Sequence, residues 1–278
     1  MCMKRYFVIL CVLISGILHA AEAETGKLSG RFVINSNGDK VCFSQGNLRC
    51  DKSSGAKVWS FAPHQYDIIG AANVSGTDLA NVLDLFGWSG NSTTNFGVSK
   101  QTGTSDYAGT SFRDWGNNPI QNGGQTAQEW RTLTKNEWNY FYTNHQKKAI
   151  TVNGVKGLAF IPVNTTMTIA DLADSYTAEA WTAIEARGIL FLPATGYRSG
   201  TTYTADASNG YYWTADKSGT NNAVSVQINC DSPGITSPTS SRSRGCAVRL
   251  VKEVEDCQVK ITINKNIEDA GTISITVL

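Results

Sequence analysis

The chain has 278 residues, with 24 Lys+Arg against 23 Asp+Glu and a formal net charge of +1. That balance excludes the basic surface that phosphate neutralisation needs, so no nucleic-acid partner and no polybasic membrane contact is expected. At 41% hydrophobic and 10% aromatic residues, the chain can bury a core and is not a disordered segment.

The first residues read as an export signal. Lys4 and Arg5 precede an apolar run from Tyr6 to Leu18, and Ala21-Glu22-Ala23 forms a small-residue cut site. The run is shorter than the roughly 20 residues of a membrane span, and no later segment reaches that length. Removing residues 1–23 takes away Lys4, Arg5 and Glu22 and leaves the remainder neutral. Export to the periplasm, the cell surface or the medium is the expectation. Residues 24–255 are expected to form one domain, and 256–278 a β-hairpin tail.

Phe32 to Ile34, Val41 and Phe43 with Leu48 following after an interruption at Gln45-Gly46-Asn47, and Val58 to Phe61 read as short strands, separated by Asn/Gly/Ser turn clusters. Leu79, Val82, Leu83 and Phe86 fall at helical spacing and predict a helix over 77–86. The stretch from Gly87 to Gly124 reads as a long irregular loop that needs aromatic anchors; Trp88, Phe96, Tyr107, Phe112 and Trp115 are available. Thr134-Lys135-Asn136-Glu137 is a capping box opening a helix through Trp138, Phe141 and Tyr142. Ile150 to Val155 predicts a hairpin, and Leu158 to Pro162 a buried strand. A second helix opens at Thr177 and stops at Gly188. Strands follow at 189–193, 210–213, 223–228 and 246–251, with a polar loop over 229–243. In the tail, Val259, Ile261 and Ile263, then Ile273, Ile275 and Val277, alternate with polar residues.

Several chemistries lack their residues. Beyond the signal, the cysteines are Cys42, Cys50, Cys230, Cys246 and Cys257, without a C-x-x-C pair, and the histidines are His64 and His145. Zinc ribbons, three-histidine zinc sites and the H-E-x-x-H, Walker, dinucleotide and G-x-S-x-G motifs are absent. No catalytic residue and no metal ligand is therefore assigned. His64 and His145 are read as structural, and Trp59, Trp130, Trp138, Trp181 and Trp213 as core; Trp88 and Trp115, in loops, are less defined.

The order of motifs carries a resemblance. It runs through Gln65-Tyr66-Asp67, Asp84-Leu85-Phe86-Gly87-Trp88, Asp114-Trp115-Gly116 and Glu129-Trp130-Arg131. It continues with Phe191-Leu192-Pro193-Ala194-Thr195-Gly196-Tyr197-Arg198, Gly210-Tyr211-Tyr212-Trp213 and Arg244-Gly245-Cys246-Ala247-Val248-Arg249. Over roughly residues 30–252 this resembles an exported family of Bacteroidetes-type bacteria. That family is related to the Fibrobacter major paralogous domain and, more distantly, to the sulfatase-modifying, formylglycine-generating enzymes. The resemblance implies an α+β, C-type-lectin-like fold with two main helices, short twisted antiparallel strands and long loops. The enzymes' paired copper-binding cysteines are not matched, so a binding module rather than an enzyme is expected, with a thiol oxidase relative and a structural surface component as alternatives. Neither Glu-Pro-Asn nor Trp-Asn-Asp occurs, so calcium-dependent sugar binding is not expected. No cofactor is assigned, and a structural calcium held by backbone carbonyls stays open.

Residues 199–243 are rich in Ser, Thr, Asn, Gly and Tyr, a composition like that of antibody paratopes. In proteins of the resembling fold this part holds the ligand surface. The candidate ligand-binding residues are Tyr203, Asn209, Tyr211, Asp216, Asn221, Asn222, Asn229, Asp231 and Arg242, facing a protein or glycan. Cys230 and Cys246 flank the polar loop and are either bridged or separately buried. Cys42 and Cys50 are read as buried thiols, and Cys257 as the unpaired one.

Overall fold

The computed structural model describes residues 26–88, 96–103, 107 and 112–254. The expected signal segment and the expected tail hairpin lie outside the described residues. Six small sheets account for most of the regular structure. In the first, Phe32–Val33 pairs with Lys40–Phe43, which pairs with Leu250–Glu253, which pairs with Arg131–Thr132. The two ends of the described chain thus lie side by side.

Two helices pack among the sheets. Helix α1 is Lys135–Asn144, and its capping box is complete. The Thr134 hydroxyl accepts from the Glu137 N–H, while the Glu137 carboxylate accepts from the Thr134 N–H. Two donors that the helix leaves unpaired are thereby satisfied. Trp138, Phe141 and Tyr142 share the inner face of α1 and meet Phe32, Phe43 and Phe160 in the first core cluster. Helix α2 is Ala178–Glu185, capped by the Thr177 hydroxyl. Its Trp181 packs edge-on against Phe191.

Between the helices, Lys147–Val152 and Val155–Phe160 form a hairpin closed by Asn153 and Gly154 at φ +48° and +79°. Both turn residues take the left-handed region, which suits an Asn-Gly hairpin turn. Leu190–Pro193 extends this sheet, so Leu158, Phe160, Leu190 and Leu192 all enter the first core.

The α+β, C-type-lectin-like expectation is corrected here. The protein is mostly β-sheet, 38% strand against 13% helical, with many small antiparallel sheets around two short helices. The helix predicted over 77–86 is not formed. Asp78–Leu79 and Val82–Leu83 are short strands instead. The buried Asn73 amide explains why: its Oδ1 accepts from the Asp84 and Leu85 N–H groups, taking donors that a helix would need. The loop predicted over 229–243 also contains strands, Gly234–Thr236 and Thr239–Ser241, both paired with Asn222–Asn229. Among the described residues no helix is long and apolar enough to cross a membrane.

His145 caps the C-terminal end of α1 and is buried. Its Nε2 accepts from the Val33 N–H at 3.1 Å and its Nδ1 lies 3.0 Å from the Phe141 carbonyl. The ring is therefore neutral, with the proton on Nδ1. Burial holds its pKa below the usual 6.5. Burial alone would raise the Glu137 pKa, but the Arg131 fork and the Thr134 N–H outweigh it and hold it down. Both groups have a folded pKa below the unfolded one, so both contribute stability at neutral pH that is lost on acidification. Urea titrations are expected to show stability falling first below about pH 6.5 and again below about pH 4.5. In Glu137→Gln the second fall should shrink and stability at pH 7 should drop by about 1–2 kcal/mol.

Candidate functional site

The hairpin of Asn209–Ser218 and Asn222–Asn229 is the longest strand pair. Period-two alternation divides its side chains. Tyr212, opposite Val226, and Ile228, opposite Gly210, face the first core. Asn209 and Tyr211, opposite Asn229 and Gln227, take the other face. At its far end that face passes into a second core through Trp213 and Ala223. At the Asn209 end it carries polar side chains that are only half-buried.

Two further strands and the loop that carries Asp206 complete this open end. Tyr197–Ser199 pairs with Arg244–Gly245, placing Ser199 opposite Arg244. Strand alternation sends Arg198 into the interior and leaves Tyr197 half-exposed. The Arg244 guanidinium then lies 3.8 Å from the Tyr197 ring centroid and 4.5 Å from that of Tyr211. The two rings meet edge-to-face at 5.2 Å. The Tyr211 hydroxyl donates to Asp206 at 2.8 Å, and Asn209 Nδ2 donates to the same carboxylate. Gln227 Nε2 donates to Asn209 Oδ1 at 3.1 Å. Burial alone would raise the Asp206 carboxyl, but bonds from Tyr211, Asn209 and the Ser208 N–H hold it below its ordinary range. Burial and the Asp206 bond push the Tyr211 phenol up to about 12. The outcome is a fixed network, Gln227 to Asn209 to Asp206 to Tyr211, with a stacked cation at its edge.

The nine candidate ligand residues do not form one site. Asn209 and Tyr211 belong to this network. Arg242, the candidate arginine, does not face solvent and is corrected to a scaffold residue. It is 2% exposed, lies over the Trp88 ring, and donates to the carbonyls of Tyr107, Gly219 and Asn222. Tyr203 donates to the Thr195 carbonyl and packs on the first core. Asp216 accepts from the Lys135 N–H at 2.5 Å, anchoring the start of α1. Asn229 closes a turn onto the Asp231 and Ser232 N–H groups, and Asp231 pairs with Lys156. Asn221 and Asn222 are exposed at the hairpin's other end. Sequence reasoning missed Tyr197, Asp206, Gln227 and Arg244. For Gln227, the alternation over 223–229 was the available signal.

Of the two readings of Cys230 and Cys246, the bridge is not formed and the thiols are separately buried. Cys42 and Cys50 are buried as well. Cys246 sits in the second core, whereas Cys230 lies beyond the hairpin's Asn229 end with its Sγ near the Ile228 carbonyl. Burial raises both thiols to about 12. A thiol reagent applied at pH 8 should leave both unmodified in the folded protein and label both in urea; rapid native labelling would contradict their burial.

Two open clefts lie away from this face. One, about 460 Å³, is lined by Met167, Asp171, Ile184 and Arg187, and another, about 400 Å³, by Arg49, Asp51, Phe61 and Asn122. Among the described residues no three His, Cys, Asp or Glu side chains gather as metal ligands.

A family model described as a domain of unknown function (DUF8237) matches residues 92–251. No curated protein and no solved structure matches.

Proposed function

The chain belongs to the DUF8237 family, a domain of unknown function, and on that premise we propose that it is an exported, non-enzymatic binding protein. The open end of the 209–229 hairpin, with Tyr197, Asp206 and Arg244, recognises a protein or glycan ligand. The observation that carries this reading is the Tyr197–Arg244–Tyr211 stack beside the Asp206–Asn209–Gln227 network. Side chains already fixed by one another lose little freedom when a ligand arrives, so contact energy is not spent on ordering them. Tyrosine and arginine are also the residues that most often dominate recognition surfaces.

Binding is favoured over thiol chemistry because Cys230 and Cys246 are far apart in environment, buried and raised to about 12, whereas a thiolate nucleophile needs a depressed pKa. Export rests on the residue pattern of 1–23. No cofactor is part of the proposal.

The test is an array of glycans and proteins probed with the full chain and with the double variant Asn209→Ala, Gln227→Ala. A hit that weakens at least about tenfold in the variant, with unchanged near-ultraviolet circular dichroism, supports the face. A hit with unchanged affinity removes it.

A further inference from the structure

Arg244 differs from the other enclosed arginines in what neutralises it. Arg131 is held by both Glu137 and Glu253. Arg198 and Arg242 are wrapped by backbone carbonyls. Arg249 donates to Gln65 and Asn47. Arg244 has no carboxylate partner among the described residues. Its Nε is enclosed without a hydrogen-bond partner, as are those of Arg49 and Arg249. Arg49, however, faces Asp67 and Arg249 is fully buried, whereas Arg244 is half-exposed and its Nη1 makes one long contact, 3.5 Å, to the Ser240 hydroxyl. The stack on Tyr197 and Tyr211 nevertheless holds the guanidinium plane in place.

A half-buried guanidinium whose plane is fixed and whose Nη edge carries only one long hydroxyl contact is a fork for a planar anion. Resting on the recognition face described above, we infer that Arg244 receives a carboxylate from the ligand, and that the ligand is a protein segment presenting Asp or Glu. Charge selects the carboxylate. One guanidinium stands next to a network built on the Asp206 carboxylate, which suits a singly charged group better than a phosphate. Ring exposure selects the protein over a sugar. Tyr211 is 6% exposed, and the half-exposed Tyr197 carries the Arg244 guanidinium on its ring and packs against the second core, so neither ring offers an open face on which a pyranose could lie. What remains open is a charged edge amid hydroxyl and amide groups, which fits an acidic side chain flanked by peptide backbone.

The full chain labelled with nitrogen-15 arginine reports this directly through the Arg244 Nε–H resonance, assigned by its loss in Arg244→Lys. The probes are a short Glu-containing peptide, the same peptide with Gln, and glucuronate. The expected result is a saturable shift with the Glu peptide, at least about tenfold weaker with the Gln peptide and weaker with glucuronate. Equal response to the Glu and Gln peptides overturns the carboxylate assignment. A stronger response to glucuronate overturns the protein class in favour of an acidic glycan. Silence to all three overturns the inference while leaving the array result with Asn209 and Gln227 to decide the face itself. The titrations are read on the wild-type chain, and Arg244→Lys, checked for an otherwise unchanged arginine spectrum, serves only to assign the resonance.

Discussion

Arg198→Met is expected to lower the free energy of unfolding by about 4 kcal/mol. Arg198 is fully buried. Its Nε donates to the Leu85 carbonyl at 2.9 Å, and its Nη atoms to Ser99, Gly200 and Gly97 at 3.0, 3.2 and 3.2 Å. One side chain thus joins the end of the Val82–Leu83 region, the 97–100 segment and the turn after Ser199. Burial presses its pKa down, yet the surrounding carbonyls solvate the cation. Methionine fills the volume but supplies no donor, so buried carbonyls lose their partner; Ser99 keeps the Tyr107 hydroxyl. Lysine should recover little, since one ammonium cannot span all four oxygens. Gly245→Ala tests the same joint from the other side, because a Cβ there would lie 2.2 Å from Arg198 Cγ. Urea unfolding gives the loss, and hydrogen exchange should accelerate first in 97–103. A loss under about 1 kcal/mol would mean that the carbonyls find water without cost.

Trp88→Ala is expected to cost a similar amount, about 4 kcal/mol. The ring is fully buried, stacked on Phe112 at 5.0 Å and covered by the Arg242 guanidinium at 4.6 Å. Its indole N–H donates to the Thr214 carbonyl at 2.7 Å. Three other tryptophans repeat the arrangement: Trp115 donates to Phe96, Trp130 to Gly123 and Trp213 to Phe86. Each buries a large apolar surface while its N–H donates to a backbone carbonyl; that of Phe86 also accepts from the Cys246 N–H. Trp88→Phe should keep the stacking and lose only the bond, about 1–2 kcal/mol. Because Arg242 lies on the ring, the losses from Trp88→Phe and Arg242→Lys should not add. Thermal unfolding of the two single variants and the double variant measures this.

Elements with a strong local cause were legible in the sequence. The capping box at Thr134–Glu137, the Asn153-Gly154 turn and the apolar strand at 190–193 each carry their instruction within a few residues. The 77–86 region did not, because its apolar spacing suits a helix as well as two short strands, and the deciding group, Asn73, lies outside the window. Fold class failed for a related reason: Ser, Thr and Asn over 229–243 look like loop, yet the neighbouring strand Asn222–Asn229 supplies partners for both short strands. Of the candidate residues, composition named Asn209 and Tyr211, which the structure joins through Asp206 in one hydrogen-bonded network. Arg242 and Arg244 were not distinguishable, since alternate residues of one segment differ only in what packs on them. Trp88 and its loop decide that Arg242 is inside; two tyrosines from separate strands hold Arg244 outside.

The proposed recognition surface is the open end of the 209–229 hairpin around Arg244. Hydrogen–deuterium exchange of the full chain, free and saturated with a protein or glycan taken from the array, tests it most directly. Protection confined to 197–199, 206–213, 225–229 and 240–245 is the predicted footprint. Protection of the cleft formed by 166–171 and 183–187, with those segments unchanged, would contradict it.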